Sequence, residues 1–130
     1  MRPTPSSSIC VRYLAECLAL DVESGRLFWK ARPADHFSKP RDHLRFNSTY
    51  AGRQADAGTY PTRGYRRVRL SIHGRKVDLL AHRAVFALAH GRWPEHEIDH
   101  IDRDRANNRP ANLRDVPHAV NMRNLRCHAR

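Results

Sequence analysis

Between residues 9 and 20 the apolar side chains Cys10, Tyr13, Leu14, Cys17 and Leu18 recur at the i, i+3, i+4, i+7, i+8 spacing of one helix face. That spacing predicts an amphipathic helix over 9–20, with both cysteines as small core hydrophobes on its buried stripe. Ser24-Gly25 then reads as a turn, and 26–30 as a short strand with Leu27 and Trp29 on one side. Further along the period changes from helix to strand. Over 66–72 Val68, Leu70 and Ile72 alternate with Arg67, Arg69 and Ser71; His73-Gly74 makes the turn, and Val77, Leu79 and Ala81 continue on a second strand. Residues 82–90 return to helical spacing with Val85, Phe86 and Ala89 inward, and Gly91 supplies the stop. A short strand at 97–101, a return at 107–113 and a helix opening at Pro117, with Asp115 as its N-cap, complete the pattern.

Two stretches carry no clear period. Residues 1–8 are rich in Pro and Ser and are expected to fray. Residues 31–64 are long for a structureless loop. They interleave Arg32, Lys39, Arg41, Arg45, Arg53 and Arg63 with Phe37, Phe46, Tyr50 and Tyr60. They suit a DNA arm with stacking rings or a surface loop anchored by its aromatics, and the residues favour neither.

The expected organisation is one α+β domain. It runs through a flexible start (1–8), a helix, short strand and basic loop (9–64), and a hairpin, helix and compact C-terminal core (65–130). At 130 residues such a domain buries roughly two-thirds of its unfolded surface. No apolar run is long enough to span a membrane, and Arg12 and Glu16 interrupt any signal-peptide core. Cys10, Cys17 and Cys127 are odd in number and widely spaced, which argues against a disulfide framework or a zinc ribbon. An intracellular, cytoplasmic protein is the expectation, as monomer or homodimer.

Charge alters the picture. The chain carries 24 Lys+Arg against 13 Asp+Glu, a net charge of +11, which points to DNA as partner. Seven basic residues and one acid, Asp78, lie between Arg63 and Arg83. The expected backbone contacts are Arg66, Arg67, Arg69, Arg75, Lys76 and Arg83, joined by Arg103 and Arg105 of the later loop. Against that basic background the window 95–104 holds Glu95, Glu97, Asp99, Asp102 and Asp104 with Arg103 alone opposing them. An acidic cluster on a polyphosphate-binding chain suggests a cation.

Within and after that window come Asp99-His100-Ile101-Asp102, Asn107-Asn108-Arg109-Pro110-Ala111-Asn112-Leu113 and Asn121. Phosphodiester hydrolysis needs a deprotonated water, a Lewis acid on the phosphate and shelter for the leaving oxygen. If one metal ion serves phosphate and leaving group, a side chain must act as base, and imidazole titrates in the right range. Neighbours on a strand point to opposite faces, so Asp99 can address a metal while His100 addresses water. Asn121 can close on the same ion from the following helix, and Asn112 can lock the returning loop.

At these residues the chain resembles the HNH nucleases, the ββα-metal or His-Me finger group, and most closely the phage-type branch. The likeness runs from His82-Arg83-Ala84-Val85 through Gly91-Arg92-Trp93-Pro94 and Asp99-His100 to Asn121. Gly64-Tyr65-Arg66 and Leu27-Phe28-Trp29 resemble it more weakly. The resemblance implies a DNA endonuclease, encoded by a phage or mobile element, and the arginine-rich 63–83 hairpin adds the expectation of backbone contact with low sequence specificity. By the resemblance His100 would be the general base, Asp99 and Asn121 the ligands of one divalent ion, and Asn112 the brace. Asn rather than His at the last position favours Mg²⁺ or Mn²⁺, with Zn²⁺ or Ni²⁺ as further options. His82 and His118 stand near the motif as packing or exposed residues, or as further active-site groups. The rival reading is a DNA-binding protein that keeps the fold without catalysis. A structural zinc protein is remote, because Cys127 and His128 have no partners at finger spacing.

Overall fold

In the computed structural model, which describes residues 9–59 and 64–120, three small antiparallel sheets gather around one helix. The first hairpin is β1 (Leu18–Asp21) against β2 (Arg26–Trp29), preceded by α1 (Val11–Cys17). The predicted helix over 9–20 is therefore too long at both ends. From Leu18 the burial pattern changes to a two-residue period, buried Leu18, exposed Ala19 and half-buried Leu20, and pairing Leu18 with Trp29 takes the segment into a sheet. A short apolar run fits either period, and here the partner strand decides. Cys17 is buried, but Cys10 is an exposed N-cap whose Sγ accepts from the Tyr13 N–H at 3.4 Å. It is not a core residue.

The stretch 31–64 contains a helix that periodicity misses, α2 (Pro40–Tyr50). No residue of α2 is buried, so there is no apolar stripe to read. Pro40 in the first turn and Asp42 behind it are the start signals that remain. Just upstream, Arg32 is 1% exposed. Its guanidinium carbon lies 4.8 Å from the Phe37 ring centre and 4.9 Å from that of Phe46. Nη2 donates to the Tyr13 hydroxyl at 2.7 Å and the Ser71 carbonyl at 2.9 Å. Arg32 Nε donates to His36 Nδ1 at 3.1 Å, so His36 carries its proton on Nε2 and donates to Glu16 at 3.0 Å. Phe37, Phe46 and Tyr50 also pack on one another. These aromatics and Arg32 anchor the segment to the body, while Arg41, Arg45 and Arg53 stay exposed.

The second sheet is β3 (Gly58–Thr59), β4 (Arg66–Ile72) and β5 (Arg75–Leu80), in the order β3-β4-β5. Val68 pairs with Leu79 and Leu70 with Val77 on the buried face. α3 (Ala81–His90) follows at once and is the centre of the core, with Ala81, Ala84, Val85 and Ala87 fully buried. Ala89, expected inside, is exposed. Gly91 closes α3 in the left-handed conformation, φ 74°. Leu14 and Cys17 of α1, Leu27 of β2, the β4–β5 apolar face and Leu113 join α3 in one cluster.

The third sheet pairs β6 (Glu97–His100) with β7 (Leu113–Val116), Asp99 facing Arg114 and His100 facing Leu113. The chain turns helical again from His118. Asp115 does not cap that helix. It sits within β7, and its carboxylate accepts the backbone N–H groups of Glu95 and His96, each at 2.8 Å. Those bonds, with Arg92 nearby, outweigh the opposing effect of burial and hold its carboxyl below the usual range. No helix among the described residues is long and apolar enough to cross a membrane.

Candidate active site

β6 places Asp99 and His100 side by side, each 6% exposed. Pleating sends the two side chains to opposite faces. Asp99 Oδ2 takes a hydrogen bond from Arg114 Nη2 at 2.5 Å across the β6–β7 ladder. His100 turns inward, where Nε2 lies 2.8 Å from Asn108 Oδ1. The His82 ring meets it edge-on with centres 5.1 Å apart, and Tyr65 lies 6.1 Å away. Arg105 lies over the Tyr65 ring, its guanidinium carbon 4.9 Å from the ring centre. His82 is buried with Nδ1 unpartnered. Burial above all, with the neighbouring His100 and Arg83 acting in the same direction, pushes its pKa down to about 3, so it packs here as a neutral ring.

The loop from 101 to 112 is closed by Asn112. Its Oδ1 accepts the Asp102 N–H at 3.0 Å, and its Nδ2 donates to Asp102 Oδ1 at 2.9 Å and to the Asn107 carbonyl at 2.8 Å. Asn107 Nδ2 adds a bond to Asp102 Oδ2 at 2.6 Å. These donors hold the Asp102 carboxyl below its usual range, the Asn107 bond most of all. The tightness of the turn shows at Arg103, a non-glycine residue with φ 66°.

That network changes the meaning of the acidic window. Asp102 organises the loop, Asp104 accepts the Ala106 N–H at 3.0 Å, and Glu97 meets His118 at 2.6 Å. Among the described residues no group of three or more His, Cys, Asp or Glu converges as a metal cage. Among the described residues these acids are drawn into separate hydrogen bonds, and Asp99 adjoins His100 on β6. A buried carboxylate next to an imidazole is still oxygen-donor chemistry that a hard divalent cation accepts. Asn121, expected to complete the set, lies outside the described residues, as do Arg63, Cys127 and His128.

The expected DNA contacts divide. Arg67, Arg69 and Lys76 share the outer face of the β4–β5 sheet, but Arg69 is paired with Asp78 at 3.0 Å. By register Arg66 and Arg75 fall on the other face, at its two ends. Arg83 Nη1 donates to the His96 carbonyl at 3.2 Å, and Arg103 and Arg105 are exposed on the loop beside His100. Asn108 and Tyr65 belong to the site although the sequence, with both inside its motif segments, assigned neither a role. The doubled Asn107-Asn108 was the available signal for the first.

A strand pair presenting Asp-His, an asparagine-braced loop and a returning strand, backed by α3, make up the arrangement that the resemblance to HNH nucleases implies. Comparison with known proteins agrees. Residues 79–123 match the family of HNH endonucleases. Among solved structures the fold is similar to one described as "DNA binding and cleavage by the HNH homing endonuclease I-HmuI", with a TM-score of 0.61 at 20% identity. The likeness covers 93% of this chain and 58% of that one. No curated protein matches in sequence.

Proposed function

We propose that the protein is a DNA endonuclease in which His100 deprotonates the attacking water. The observation that carries this reading is the Asp99-His100 pair on β6, both buried and both fixed by partners, at the head of an asparagine-braced loop. Asp99, with Asn121, would hold a divalent ion, Mg²⁺ or Mn²⁺ by the hardness of these oxygen donors. When bound, such an ion supplies Lewis acidity to the phosphate and charge relief to the leaving oxygen. His100 accepts the proton of the water. Asn112 keeps the loop from drifting away from that imidazole. Arg67 and Lys76 on the sheet, with Arg103 and Arg105 on the loop, hold the phosphate backbone on either side. This contact set reads charge rather than bases, which suits low sequence specificity and a nuclease of the phage or mobile-element kind.

The test is direct. Purified protein is incubated with supercoiled plasmid in Mg²⁺, Mn²⁺ or EDTA. Nicked or linear product that appears with metal and vanishes in EDTA is expected. An intact plasmid under every metal condition, with DNA still bound, would instead favour a DNA-binding protein on an HNH scaffold.

A further inference from the structure

We infer that Asn108 is a positioning residue for His100, fixing which nitrogen of the imidazole is free, and that the β1–β2 turn holds Asn108 in place. This rests on the nuclease reading above. An amide oxygen can only accept, so the 2.8 Å contact from Asn108 Oδ1 to His100 Nε2 puts the ring proton on Nε2. Nδ1 is then the nitrogen with the available lone pair. The two adjacent asparagines thus do different work. Asn107 binds Asp102 and closes the loop, whereas Asn108 turns inward, 1% exposed, to the ring.

Two further features single out Asn108. Its Nδ2 is buried with no partner. An unpaired buried amide is an uncommon liability, found where another requirement outweighs stability. Its backbone is also held by a contact 83 positions earlier in the chain. A Cβ on Gly25 would lie 2.2 Å from Arg109 N and 2.3 Å from the Asn108 carbonyl carbon. The turn therefore presses backbone against backbone, a fit only glycine allows, and Gly25 also needs its positive φ of 72°. The turn is itself tied down, Gly25 N–H donating to the Asp21 carbonyl at 2.8 Å and Ser24 Oγ to Asp21 Oδ2 at 2.8 Å.

The experiment pairs ¹⁵N spectroscopy with kinetics on the full chain. The His100 ring signals are assigned by their loss in His100→Ala and read where the ring is neutral. The wild type should show one tautomer, Nε2–H. Asn108→Ala should give a mixture, and Asn108→Asp, which restores an oxygen acceptor in the same shape, should return the single form. In plasmid cleavage Asn108→Ala should lower kcat by roughly tenfold to a hundredfold, the range for losing a partner that orients a functional imidazole. KM for DNA should not change, and Asn108→Asp should recover most of the rate. An Nδ1–H tautomer in the wild type overturns the proposal without any variant having to fold. So does full kcat in a folded Asn108→Ala protein while His100→Ala is inactive, which leaves the nuclease reading standing. A wild type that never cleaves, or an active His100→Ala, overturns both.

Discussion

Arg114 and Asp99 face each other across the β6–β7 ladder, and the guanidinium neutralises a carboxylate whose side chain is only 8% exposed. A buried acid stripped of its counter-charge is costly, less so here because Arg114 is itself about half exposed. Arg114→Gln should therefore lose about 1–3 kcal/mol of stability in EDTA. A divalent cation can take over the neutralisation, so Mn²⁺ should raise the melting temperature of the variant more than that of the wild type. Equal shifts would mean that the cation does not reach Asp99.

The second prediction concerns the base. His100→Ala should lose about two orders of magnitude or more in cleavage rate while retaining DNA affinity. Rates are compared at matched metal and pH, and near-normal cleavage would remove His100 from the mechanism.

Asn112 and Asn121 should separate on melting. Asn112 satisfies the Asp102 N–H and the Asn107 carbonyl, so Asn112→Ala should melt earlier even in EDTA, by the equivalent of about 1–3 kcal/mol. Asn121→Ala should keep its melting temperature in EDTA and lose the stabilisation added by Mn²⁺. The opposite pattern would exchange their roles.

Acid should unfold the protein partly through His82. Burial holds its pKa in the folded state down at about 3, against 6.5 for a free imidazole. Between those values the unfolded chain binds a proton that the folded chain does not, so stability falls as pH falls from about 6.5 towards 3. His82→Leu should flatten that limb. Chemical denaturation at pH 7 and pH 4.5 measures it, and an unchanged slope would show that His82 is protonated in place.

On the sheet, Asp78 already offsets Arg69, and that bond holds the Asp78 carboxyl below its usual range. Lys76→Ala should therefore reduce the salt dependence of DNA affinity, relative to the wild type, more than Arg69→Ala does. Binding isotherms at several salt concentrations compare the three, and an equal effect from Arg69→Ala would show that its pairing does not persist on DNA.

The elements legible in the sequence were those with a face. The β4–β5 hairpin and α3 bury one side each, and their periods show it. The segment α2 buries none, so its pattern is silent, and the boundary at Leu18 was hidden because a strand partner rather than a propensity sets it. At the site, Asp99, His100 and Asn112 stand out by residue type and spacing. Asn108 and Tyr65 do not, since their importance comes from what lies across from them in space. The acidic window could not be sorted by residue for the same reason. Composition counts charges without saying that Asp102 and Asp104 cap their own loop.

The contact of Gly25 with Asn108 and Arg109 makes the motif a poor transplant. A designer who lifted residues 79–123 onto another scaffold would carry every recognisable letter and leave the buttress behind, together with Leu14, Cys17 and Leu27 of the shared core. Recombination between relatives meets the same limit. A crossover between β2 and α3 would pair one lineage's turn with another's loop, and a side chain larger than hydrogen at position 25 would jam the join. The first hairpin and the nuclease loop should therefore be inherited together.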